Sequence, residues 1–71
     1  MTTAFNYAKL TGKIVERFRT QGVFAERLGL SSRSLSLKLN NQRGWKQTEI
    51  EKACTLLDIP ISEVSEYFFA Q

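Results

Sequence analysis

The stretch Gln21–Asn40, QGVFAERLGLSSRSLSLKLN, constrains this chain more than any other. Two short apolar periodicities meet in it at Gly29-Leu30-Ser31. In the first, Phe24 and Leu28 share one face of a helix; in the second, Leu35 and Leu39 do the same. Gly29 stands where a helix stops in the left-handed conformation, which glycine takes without a Cβ clash. Ser31 is of the residue type that caps the next helix, its hydroxyl accepting from an exposed N–H. The spacing predicts helices over Gln21–Leu28 and Ser32–Leu39. So short a link prevents them from lying antiparallel over any length, so they cross steeply and the second is presented outward. A helix presented in this way can enter a DNA major groove.

The rest of the chain supplies what such a unit needs. Met1–Ala4 reads as a frayed arm. Asn6 is a cap for a first helix that runs to about Phe18, with Phe5 stapled onto Leu10 and with Tyr7, Leu10, Ile14 and Phe18 on one stripe. Gly12 costs roughly 1 kcal/mol of helix propensity relative to Ala and is compatible with close approach of another helix. Thr20 caps the second helix. After the third, Asn40-Asn41-Gln42-Arg43-Gly44 is a polar loop, and Trp45 plugs the core beneath it. A fourth helix is expected over Gln47–Leu57, with Thr48 and Glu51 as its capping box and Ile50, Ala53, Cys54 and Leu57 facing inward. Pro60 breaks the chain and opens a last helix over Ile61–Phe68, with Ile61, Val64 and Phe68 inward. With no strand alternation, repeat or linker in the sequence, the expected fold is all-α: five short helices in one domain, residues 1–71.

Composition narrows the function classes. The chain has 71 residues, enough for one domain that buries about 60% of its unfolded surface. At 42% hydrophobic and 24% charged it is globular in composition. The formal charge of +3 is unevenly spread. Between Lys9 and Lys46 the only acids are Glu16 and Glu26, whereas after Ile50 the acids Glu51, Asp58, Glu63 and Glu66 face a single Lys52. A basic front suits a polyanion, although a solvated charged surface is the plain alternative. Cys54 is the lone cysteine and there is no histidine, so a disulfide, a zinc site and a nucleophile–base pair all lack members. With the carboxylates on solvent faces and no Gly-rich phosphate loop, no enzyme, metal or cofactor is expected. No apolar run reaches membrane-spanning length and no signal-peptide pattern opens the chain, so a cytoplasmic protein is expected.

Function should lie on the outward face of the third helix, at Ser31, Ser32, Arg33, Ser36, Leu37 and Asn40. Arg33 can pair bidentately with guanine O6 and N7, or be a solvated surface arginine. The serines can bond bases or phosphates, or fill and cap the helix. Asn40 can read adenine or cap the helix C-terminus. Leu37 stands off the inward stripe; it can meet a thymine methyl, mark a protein-binding face, or belong to the edge of the core. Thr20 and Gln21 can donate to a backbone phosphate at the start of the second helix. Arg19, Lys38, Gln42, Arg43 and Lys46 would add phosphate contacts, which carry affinity and salt dependence but no sequence information. The apolar tail Tyr67-Phe68-Phe69 can close the core or make a dimer contact.

Gln21-x-x-Phe24-Ala25-x-x-Leu28-Gly29-Leu30-Ser31, followed by Leu35-Ser36-x-Lys38-Leu39-Asn40, resembles the Cro/repressor-type helix-turn-helix proteins. Gly44-Trp45-Lys46-Gln47, Glu49-Ile50-Glu51-Lys52-Ala53 and the ending Glu66-Tyr67-Phe68-Phe69 look like the small Cro-like proteins of temperate phages and prophages of Gram-positive bacteria. The resemblance implies a lambda-repressor-like five-helix domain that binds operator DNA; a homodimer is the possibility that the apolar tail and two-fold operators add. On that likeness Gln21 serves a phosphate, and Ser32, Arg33, Ser36 and Leu37 enter the groove. Two positions depart from the pattern. Lys38 stands where many such proteins have an apolar core residue, so its aliphatic stem has to serve there, which leaves the rotation of the helix open. Asp58 stands in place of a frequent Gly.

The resemblance leaves two roles. One is a Cro-like transcriptional regulator that occludes an operator in the lysis/lysogeny switch. The other is an antirepressor, a modulator of repression, which binds the DNA-binding domain of the phage repressor in a protein–protein complex. The exposed Leu37 and the apolar tail suit the second.

Overall fold

The helices follow one another with no strand among the described residues, which in this computed structural model are residues 5–71. The expected arm Met1–Ala4 lies outside them. The elements are α1 (Ala8–Phe18), α2 (Gln21–Leu28), α3 (Ser32–Leu39), α4 (Gln47–Leu57), a single 3-10 turn (Ile61–Glu63) and α5 (Val64–Phe68). Three helices, α2, α3 and α4, have the boundaries that periodicity and turn residues predict.

α2 is the centre of the packing. It lies against α1, α3 and α4, while α5 closes on α1. The stripes converge on one core: Leu10 and Ile14 from α1, Phe24 and Ala25 from α2, Leu35 from α3, Ala53 and Leu57 from α4 and Phe68 from α5 are all buried. Burying a side chain such as Phe24 or Leu35 stabilises by about 1.5–3 kcal/mol. Trp45 is half-buried, with its ring edge-on to Phe68 at 5.1 Å, so it does plug the core below the loop.

Several local expectations are corrected. The N-cap of α1 is Tyr7, not Asn6; Asn6 stands one residue earlier, its Oδ1 accepting the Ala8 N–H at 2.8 Å. The ring of Phe5 packs against the core that holds Leu10 and also stands edge-on to Phe69 at 5.7 Å. Gly12 faces open space rather than a closely packed helix. The fourth helix is capped two residues before Thr48: the Lys46 backbone N–H donates to Glu49 Oε1 at 2.9 Å, so Glu49 and not Glu51 holds the helix start. Ile61, expected inward, is 92% exposed. The cause is the 3-10 turn, closed by the Glu63 N–H on the Pro60 carbonyl at 2.9 Å. Its tighter winding rotates Ile61 off the face that α5 later buries through Tyr67 and Phe68.

Candidate recognition surface

The α2–α3 unit is assembled from local bonds. Thr20 Oγ1 accepts the Val23 N–H at 3.2 Å and starts α2. Gly29, at φ 85°, ends it, its N–H reaching the Ala25 and Glu26 carbonyls. Ser31 Oγ then accepts the Ser34 N–H at 3.1 Å and starts α3. A Cβ on Gly22 would lie 3.4 Å from Ser32 Oγ, so the first turns of the two helices come close together. Gly22 and Ser32 are thereby neighbours in space, at the ends where backbone N–H groups are free of helical partners.

The expected contact residues divide along α3. Ser31, Ser32 and Arg33 at its N-terminal end are exposed, as is Thr20, while Gln21, Ser36 and Leu37 are half-buried. Leu37 is thus less open than its place off the inward stripe suggested. Asn40 takes the capping option: its Nδ2 donates to the Ser36 carbonyl at 2.9 Å and to Ser36 Oγ at 3.3 Å. Arg43 is exposed but leans on α3, its Nη1 donating to Ser34 Oγ at 3.3 Å. Lys46 is exposed and uses its backbone N–H at the start of α4.

Lys38 corrects the expectation of a phosphate contact. It is only 3% exposed. Its ammonium lies 2.8 Å from Glu49 Oε1 and donates to the Gly44 carbonyl at 2.9 Å, over the face of Trp45. The stem fills the core position and the charge is spent inside the protein. This settles the rotation of α3: Leu35 and Lys38 point in, and Ser32 and Arg33 point out. It also corrects the view that every carboxylate lies on a solvent face. Burial alone would raise the Glu49 carboxyl, but the hydrogen bonds from Lys38 and from the Lys46 N–H, with both lysine charges, hold it below the usual carboxylate range. Sequence reasoning missed this pair. The available signal was a lysine on the inward stripe followed by an acid in the first turn of the next helix.

A second tie was also missed. Asn41, at φ 62°, accepts the Phe5 N–H through Oδ1 at 3.0 Å and donates to the Phe5 carbonyl through Nδ2 at 2.8 Å. The loop after α3 is therefore fastened to the start of the chain. The arginines Arg19, Arg33 and Arg43 make no ion pair among the described residues, so their charge is available to a partner. No helix among the described residues is long and apolar enough to cross a membrane.

Comparison with curated proteins gives no match. Among solved structures, the chain is similar to the modulator of repression (MOR) of the temperate bacteriophage TP901-1 from Lactococcus lactis, determined in solution. The two are 43% identical over 94% of this chain and 90% of that one, with a TM-score of 0.81. A family model described as a protein of unknown function, DUF739, matches residues 3–71, and the chain belongs to that family.

Proposed function

We propose that this protein is an antirepressor of a phage genetic switch. It binds the DNA-binding domain of the phage repressor by protein–protein contact, keeps that repressor off its operator and thereby favours lysis. The observation that carries this reading is the 43% identity, over nearly the full length of both chains, to a protein named as a modulator of repression. The state of α3 supports it: Lys38 is spent on Glu49, Asn40 on Ser36 and Arg43 on Ser34, which leaves few free side chains toward the C-terminal end of a DNA-reading helix. The role is one of binding, without catalysis or cofactor, and it is exercised in the cytoplasm of the bacterial host.

Co-purification with the repressor encoded beside it, followed by a gel shift on the intergenic operator region, tests the reading. The expected result is a stable complex in which the repressor no longer shifts operator DNA, and only weak, salt-sensitive DNA binding by this protein alone. A sequence-specific shift by this protein alone, with no complex, overturns it.

A second reading, the Cro-like operator binder, draws on the exposed Ser31, Ser32 and Arg33 at the start of α3. It predicts that Arg33→Ala costs about 1–3 kcal/mol on operator DNA and relaxes preference at one base position. Lys46→Ala would instead weaken all sequences alike and flatten the salt dependence.

A further inference from the structure

We infer that the apolar groove between α4 and the C-terminal segment is the surface that receives the basic DNA-binding face of the repressor. The inference rests on the antirepressor reading and adds which side of the molecule does the work.

Electrostatics exclude the obvious candidate. A surface that binds DNA is positively charged, because its affinity comes from neutralising phosphates. The α2–α3 side of this protein bears Arg19, Arg33 and Arg43, unpaired among the described residues. Two positive faces repel, and juxtaposed like charges select against a partner. A surface complementary to a basic DNA-binding face carries negative charge around an apolar centre.

The surface between α4 and the C-terminal segment has that composition. A groove of about 690 Å³ runs between α4 and the segment after Pro60. Ile50 and Cys54 form part of its wall on α4, and Ile61 and Phe69 stand along it at 92% and 49% exposure. Among the described residues, the only charged side chains that line it are the acids Glu51 and Asp58. Neither is in an ion pair among the described residues, so both charges are available to a cationic partner. No residue of α2 or α3 lines this groove, so it is separate from the basic surface.

The backbone holds these groups in place before a partner arrives. Asp58 sits at φ 57° with its N–H on the Cys54 and Thr55 carbonyls, a left-handed helix end that fixes its direction. The 3-10 turn after Pro60 presents Ile61 to solvent. A branched apolar side chain left this open contributes little to the fold, and a preordered apolar knob within an acidic rim loses little entropy on binding.

The test is calorimetric titration of the full-length repressor with the full-length protein at two salt concentrations. Ile61→Ser, at a position that is already solvent-exposed, keeps the wild-type circular dichroism and unfolding midpoint and weakens binding about tenfold. Glu51→Lys combined with Asp58→Asn, in which Asn preserves the left-handed position, weakens binding at least as much at low salt and flattens its salt dependence. Arg33→Ala binds as wild type. If the groove variants bind as wild type while Arg33→Ala does not, the groove assignment falls and the antirepressor reading stands. If wild-type protein does not bind the repressor at all, both fall. Sedimentation of the free protein as a dimer that Ile61→Ser dissociates assigns the groove to a second copy and overturns the inference.

Discussion

The two connections on either side of α3 are built by different means. The link from α2 closes on itself: Gly29 turns left-handed, Ser31 caps the helix that follows, and each bond spans a few residues. The link to α4 is closed from a distance. Asn41 bonds Phe5 across 36 residues, Lys38 reaches Gly44 and Glu49, and Trp45 stacks its edge on Phe68. The first connection sets the direction in which α3 leaves the core. The second limits what α3 can offer, because it draws Lys38 into the core; Asn40 and Arg43 stay exposed but are bonded to Ser36 and Ser34, which leaves the uncommitted side chains at the N-terminal end.

The comparison is broken most severely at Lys38. Removing one partner of a buried ion pair costs about 3–5 kcal/mol, because the other is left uncompensated. Set against a total of roughly 4–11 kcal/mol for a domain of this length, Lys38→Ala should bring urea unfolding close to zero denaturant. Lys38→Met keeps the stem in the core and should cost less. The pair also imposes a pH dependence. The Glu49 carboxyl is lowered from its ordinary 4.5, so its contribution is complete above that pH and is lost as pH falls through the folded-state value. Glu49→Gln should therefore narrow the stability difference between neutral and acid pH. An unchanged acid slope would mean that the pair does not hold the loop.

The same contrast explains what sequence alone revealed. The bounds of α2, α3 and α4 and the core residues Leu10, Ile14, Phe24, Leu35 and Phe68 follow from periodicity and punctuation, which are short-range signals. Thr20, Gly29 and Ser31 were legible for the same reason. The core position of the Lys38 stem was legible only through the resemblance, and its ion pair was not, because Glu49 lies on another helix. Ile61 was misplaced because an α-helical period was extended over residues that wind as a 3-10 turn. The outward direction of Ser32 and Arg33 was legible. The capping option read for Asn40 is the one it takes, and what was hidden is that Arg43 bonds back onto α3, a matter of side-chain geometry and not of residue type.

A second break lies at Gly29. A residue with a Cβ in the left-handed conformation costs about 1–2 kcal/mol relative to glycine. An added Cβ would have only Lys52 Nζ near it, at 3.8 Å, so space does not oppose the change and strain alone is measured. Gly29→Ala should lower stability by that amount in chemical denaturation. Gly29→Asn should recover part of it, since Asn tolerates this conformation. Equal losses for Ala and Asn would point to a cause other than backbone strain.

The smallest effects separate the two helix starts. Ser31→Ala removes the hydroxyl that accepts the Ser34 N–H, at a cost of about 1 kcal/mol. Thr48→Ala should fall within about 0.5 kcal/mol of wild type, because Thr48 is exposed and the start of α4 is held by the Lys46 N–H on Glu49. Thermal unfolding of both variants resolves the difference. A Thr48→Ala loss as large as that of Ser31→Ala would restore the Thr48–Glu51 capping box and release Glu49 from holding the start of α4. Glu49 would then serve Lys38 alone, and the link from α3 to α4 would keep the Lys38 contacts and the Asn41–Phe5 tie but lose their coupling to a helix cap.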